Sequence, residues 1–136
     1  MWTCSNCNRS FKRRDQLHSC VLMAKEDLFA KRPAELKKLY ELLVKDLKIL
    51  GEYRVETIPP DVIFFKTKST FLAVKVKKSF LEVEFFLNHH ENSPVVSKFL
   101  QTSKHRFVHV VPVDRKEDLT RQLFSWIEHS YQLVLS

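Results

Sequence analysis

Glycine is nearly missing from this chain, with Gly51 the single example in 136 residues. Only five prolines accompany it, so nothing in the composition suggests a flexible linker or a disordered segment. The same scarcity removes the Gly-rich phosphate loops of nucleotide-binding enzymes, and no G-x-S-x-G nucleophile elbow is present. Cysteine is confined to Cys4, Cys7 and Cys20. An odd number cannot pair off completely within one chain, and the body of the protein has no cysteine nucleophile. No apolar run approaches the roughly 18 residues of a membrane span, and Met1-Trp2-Thr3-Cys4 does not read as a signal peptide. These absences lead to the expectation of a soluble, cytoplasmic protein that does not engage a membrane.

What is present is an ordinary globular composition, 44% hydrophobic and 29% charged, with a formal net charge of +7. Such a balance favours anionic partners. The first 22 residues contribute Arg9, Lys12, Arg13 and Arg14 against Asp15 alone.

Those residues also hold the most specific pattern in the chain. Cys4 and Cys7 form a C-x2-C knuckle, which lets two thiolates approach one ion at about 2.3 Å. Phe11 and Leu17 fall at the spacing of the small-core residues of a two-cysteine, two-histidine zinc finger. Cys20 stands where that finger has its first histidine, and no ligand follows at the usual interval. His18 is then the candidate for the fourth ligand. Two residues apart, His18 and Cys20 would lie about 200° apart on a helix, so sharing an ion requires a turn and argues against a full recognition helix. The expectation is a structural zinc site of Cys4, Cys7, His18 and Cys20 within a module spanning 1–22.

The remainder, 23–136, reads as one α+β domain. Ala24 to Ala30 suggests a helical linker. Pro33 suits a helix start, and Leu36, Leu39, Tyr40, Leu43, Leu47 and Leu50 form a helical stripe closed by Gly51. Tyr53–Ile58 and Val62–Thr67 read as strands. The alternation from Phe71 to Leu87 predicts a hairpin turning at Lys78-Ser79, with Lys75 opposite Glu82, Val74 opposite Val83 and Leu72 opposite Phe85. Val95–Leu100 reads as a short helix or irregular crossover, and Arg106–Val113 as a strand in which His109 is a hydrogen-bonded core residue. Asp114 with Glu117 fits the capping box of a last helix carrying Leu119, Leu123, Trp126, Ile127, Tyr131 and Val134. The expected fold is a mainly antiparallel sheet of four to five strands, covered by an N-terminal and a C-terminal amphipathic helix.

In its order of finger, helix, F-L-A-V-K-V-K-K-S-F-L-E-V hairpin, R-F-V-H-V-V strand and W-I-E-H-S-Y helix, the chain resembles the family called domain of unknown function 5655. The resemblance implies an α+β fold with metal positions at Cys4, Cys7, His18 and Cys20, and assigns no catalytic residue. The residues themselves favour a non-catalytic binding module that contacts nucleic-acid backbones through Arg9, Lys12, Arg13, Arg14, Lys66, Lys68, Lys75 and Lys77. One alternative is a protein-interaction or ligand-binding domain, which an exposed patch of Phe64, Phe71, Phe80 and Phe86 would favour. Another is a metal-dependent nuclease using Asp61, Glu82 and Glu84, for which the usual carboxylate-x-lysine pair is missing. Cross-strand pairing of Lys75 and Lys77 with Glu82 and Glu84 would leave that basic row without a ligand-binding task. Oligomeric state is not legible in the residues.

Overall fold

A computed structural model of the chain describes residues 2–3, 10–11, 28–58 and 60–136. Strands β1 (Trp2–Thr3) and β2 (Ser10–Phe11) form an antiparallel ribbon with Trp2 opposite Phe11. The body contains helix α1 (Ala34–Leu47), strands β3 (Arg54–Ile58), β4 (Val62–Lys66), β5 (Thr70–Val76), β6 (Leu81–Leu87), β7 (Lys98–Ser103) and β8 (Arg106–Val113), and helix α2 (Arg121–Leu135).

The central hairpin forms in the register that its alternation dictates. Leu72 faces Phe85, Val74 faces Val83, Lys75 faces Glu82 and Val76 faces Leu81. Lys77 N–H donates to the Phe80 carbonyl at 2.9 Å, which closes the turn around Lys78 and Ser79. The hairpin is the middle of six antiparallel strands in the order β3-β4-β5-β6-β8-β7, one more than the upper expectation. The additional strand is β7. Val95–Leu100 is neither helix nor crossover: Lys98–Ser103 pairs with β8, and all six residues are exposed.

One face of the sheet carries the core. Phe65, Leu72, Phe85 and His109 stand in one row across four strands, followed by the row Ile63, Val74, Val83 and Val111. All are buried, and each apolar member contributes about 1.5–3 kcal/mol relative to exposure. The sheet was expected to be covered by an N-terminal and a C-terminal helix, and the two take unequal shares of that cover. Helix α2 lies over β5 and β6, with Trp126 stacked on Phe85 at 5.6 Å. Helix α1 meets β4 through Tyr40 and Phe65 at 6.3 Å. Leu28 and Phe29, in the segment read as a linker, are buried in the same core.

Two local features tie the sheet to α2. Phe65 pairs with Leu72 and Lys66 with Thr70, so Phe71 is the extra residue of a β-bulge. The bulge turns Phe71 into the core, where its ring meets Tyr131 edge-on at 4.9 Å. At the same point Ser130 Oγ donates to the Phe71 carbonyl at 2.7 Å and accepts from Phe86 N–H at 3.3 Å, a helix hydroxyl inserted into the strand ladder. The start of α2 differs from expectation: Thr120 caps it, its Oγ1 accepting from Leu123 N–H at 3.1 Å. Asp114 instead precedes a short 3-10 turn over Lys116–Asp118, and the Asp118 carboxylate accepts from the Asp114 and Arg115 amides.

Gly51 follows the turn after α1 with a φ of +133°, a conformation side chains rarely tolerate. Its missing Cβ would lie 2.7 Å from Tyr131 Oη, which donates to the Glu52 carbonyl at 2.9 Å. Gly51→Ala is therefore expected to cost about 1–3 kcal/mol in urea denaturation. Adding Tyr131→Phe should recover the steric part and leave the backbone part, giving a non-additive double-mutant cycle. Additive losses would show that the hydroxyl contact is not the constraint.

Candidate functional site

The alternation that buries one sheet face sends the charged residues of the same strands to the other. There they neutralise one another. Lys75 lies 3.8 Å from Glu84, Lys77 3.6 Å from Glu82, and Lys98 3.1 Å from Glu82. Burial alone would push the Glu82 carboxyl up, yet Lys98, with Lys77 and Lys75 behind it, holds it below its ordinary value. The two carboxylates that the nuclease reading required on strands are thus committed to lysines. The phenylalanine patch assembles only in part: Phe64, Phe71 and Phe86 line one cavity of about 220 Å³ with Arg106, whose guanidinium lies 3.9 Å from the Phe86 ring, while Phe71 is in the core and Phe80 lines a different recess. The large exposed apolar side chains around β7 are Val95, Phe99 and Leu100.

Cations gather differently at one end of the sheet. The turn after α1, the start of β3, the β4–β5 turn and the last turn of α2 enclose a cleft of about 990 Å³. Lys48, Arg54, Lys66 and Lys68 line it, with Glu52 the one carboxylate among its lining residues. Arg54 and Lys66 stand directly opposite each other across β3 and β4. Like charges in that position destabilise a sheet, so the pair carries a cost that the fold alone does not require. Partial relief comes from Glu56, 2.7 Å from Lys66, and from the Thr67 carbonyl, which accepts from Arg54 Nη2 at 3.1 Å. Lys68 Nζ donates to the Leu135 carbonyl at the end of α2, also at 3.1 Å. Thr67 Oγ1 is buried without a hydrogen-bond partner. Tyr53, whose phenol is pushed up from its ordinary value by burial, lines the cleft as well.

The structure thus brings Lys66 and Lys68 together and leaves Lys75 and Lys77 outside the cleft. Arg54 and Lys48 were missed in the sequence; the one available signal was that Arg54 and Lys66 belong to adjacent predicted strands. Arg9, Lys12, Arg13 and Arg14, and the expected zinc ligands Cys4, Cys7, His18 and Cys20, lie outside the described residues.

A second cluster surrounds the loop after β6. His89 Nε2 is 3.7 Å from Glu91 Oε2, and the His89 and His129 rings are 5.9 Å apart. Among the described residues no group of three or more such side chains is arranged to hold a metal ion. Glu91 anchors the loop: its backbone N–H donates to His109 Nε2 at 3.0 Å, and Oε1 accepts from Trp126 Nε1 at 3.4 Å. With Nδ1 donating to the Phe107 carbonyl at 2.9 Å, His109 is the satisfied core histidine expected from its place between Val108 and Val110.

The family described as Domain of unknown function (DUF5655) matches residues 25–134. The chain belongs to this family. The DUF5655 match runs from before α1 into the last turn of α2 and takes in the lining of the cleft except Leu135, while the cysteine-bearing leader falls outside it. No curated protein and no solved structure matches the chain. No helix among the described residues is long and apolar enough to cross a membrane.

Burial lowers the His109 imidazole below its ordinary value of 6.5, outweighing the pull of the Phe107 carbonyl, and His90 and His89 add to the lowering. Below about pH 6.5 the unfolded chain takes up a proton that the folded chain refuses, so stability is lost as pH falls. The loss is at most about 1.4 kcal/mol per pH unit. Urea denaturation at pH 7.5 and 5.0 should show a larger acid loss for the native chain than for His109→Gln; equal losses would mean that His109 is not the buried neutral group.

Proposed function

We propose that this DUF5655 protein is a zinc-headed, non-catalytic binding module that contacts nucleic-acid backbones through its basic residues. The observation that carries the reading is the direct juxtaposition of Arg54 and Lys66 at a cleft shared with Lys48 and Lys68. Each strand lysine has a glutamate beside it, Glu56 for Lys66, Glu84 for Lys75 and Glu82 for Lys98, whereas among the described residues Arg54 and Lys68 at the cleft meet backbone carbonyls and no carboxylate. Unneutralised cations converging from separate segments suit a ligand that supplies the missing negative charge. Arg9, Lys12, Arg13 and Arg14 of the leader extend this positive surface in composition, and Lys75 and Lys77 contribute less because their glutamates are already beside them.

For the zinc head, the donor set supports the assignment. Three thiolates and an imidazole make a closed tetrahedral shell of the structural kind. In sequence, the paired segments Trp2–Thr3 and Ser10–Phe11 stand on either side of Cys4 and Cys7. Zinc supplies folding free energy in such a module, and Cys4, Cys7, His18 and Cys20 would hold it. A second reading, protein interaction, draws on the exposed Val95, Phe99 and Leu100 around an unpaired strand edge.

Two outcomes are expected. Full-length protein should contain one zinc per chain, and Cys4→Ser should abolish it; metal analysis finding no zinc in the native chain removes the head from the proposal. Binding of labelled oligonucleotides should weaken between about 50 and 200 mM salt, with a slope of log affinity against log salt near −3 for four neutralised phosphates. Lys48→Gln with Arg54→Gln should make that slope shallower by roughly 1.4 to 2. Absence of binding at the lower salt would turn attention to the β7 edge.

A further inference from the structure

The cleft differs from a plain basic patch in what lies between its charges. Tyr53 is half-buried there, its ring edge-on to Phe65 at 5.6 Å and to Phe71 at 5.9 Å. Those contacts fix an aromatic side chain from inside the core while leaving part of it on the cleft surface. Around it stand cations with spare capacity. Arg54 spends one nitrogen on the Thr67 carbonyl, Lys68 one proton on the Leu135 carbonyl, and Lys48 is exposed, with no ion pair among the described residues.

Access to the bases then discriminates between forms of nucleic acid. The cleft, about 990 Å³, opens broadly to solvent, and a duplex can lay phosphates along its cations but keeps its base faces stacked inside the helix. A single strand can enter, and its unpaired bases have free faces. A fixed aromatic flanked by cations is the arrangement that binds such strands: phosphates track the charges and a base stacks on the ring.

Resting on the nucleic-acid reading above, we infer that the cleft is a single-strand site in which a base packs on Tyr53 while Lys48, Arg54 and Lys68 hold the neighbouring phosphates.

The test uses full-length, zinc-loaded protein with single-stranded DNA, single-stranded RNA and duplex DNA of one length at about 50 mM salt. Single strands of one or both sugars should bind at least about tenfold more tightly than duplex. Tyr53→Leu should lower single-strand affinity about tenfold with the salt slope unchanged, because stacking releases no counterions. Lys48→Gln should reduce the slope. An oligonucleotide carrying 2-aminopurine should be quenched on binding the native chain, and an iodouracil strand should photocrosslink to Tyr53; both readouts work without a variant whose packing is altered. Duplex binding equal to or tighter than single-strand binding, or crosslinks confined to the leader, overturns the inference and leaves the backbone-binding reading standing. No binding of any oligonucleotide overturns both.

Discussion

Everything in this fold answers to one constraint, that the sheet has a single apolar face that must leave water. The row Phe65, Leu72, Phe85 and His109 runs straight across four strands, and only helices can cover it. Helix α2 does most of this over the central hairpin, and its position is pinned by Ser130, whose hydroxyl replaces a strand-to-strand link with a strand-to-helix link. The bulge at Phe71 works to the same end. By adding one residue to β5 it moves a phenylalanine from the solvent side to the core, where Tyr131 meets it. Tyr131 in turn occupies the space beside Gly51, so the connection from α1 to β3 is held against the far end of α2. The cleft is what this chain of contacts leaves at that end.

The hairpin was readable because its register follows from side-chain alternation, which is local. A one-residue slip would expose Val74, Val76, Val83 and Phe85 together, and no other pairing hides them. Both amphipathic helices were readable for the same reason, every stripe residue from Leu36 to Leu47 being buried. Strand β7 was not. Lys98-Phe99-Leu100-Gln101-Thr102-Ser103 has neither alternation nor burial, and it is a strand because β8 offers it an edge. Phe71 misled because a bulge breaks the period of two on which its facing was judged. The cap of α2 was placed six residues early because Asp114 and Glu117 match a local pattern that the chain uses for a 3-10 turn instead.

The site was half legible for a related reason. Lys66 and Lys68 could be picked out as members of a basic run, but the run itself was the wrong unit. Lys75 and Lys77 belong to it in sequence and lie on the open face in space, beside Glu84 and Glu82. Lys48 and Arg54 belong to the cleft in space and to unrelated segments in sequence. A cationic cleft assembled from a helix end, an edge strand and a turn has no contiguous signature.

This difference decides how the net charge of +7 is to be understood. Exposed ion pairs contribute little, about 0–1 kcal/mol each, so the pairing on the open face does not greatly stabilise the fold. Its effect is on the field outside the protein. Adjacent strands with lysine on one and glutamate on the other cancel at short range, and beyond about one Debye length nothing of them is felt. At the cleft only Lys66 is so paired among the described residues, with Glu56 at 2.7 Å. Arg54 faces it across two strands, Lys48 approaches from the end of α1, and Lys68 from the β4–β5 turn. Arg54, Lys48, Lys66 and Lys68 are thus brought to one cleft although they are spread along the chain. A polyanion drawn to this protein would be guided there by what is left unneutralised, which is a property of the fold's topology and not of the charge count.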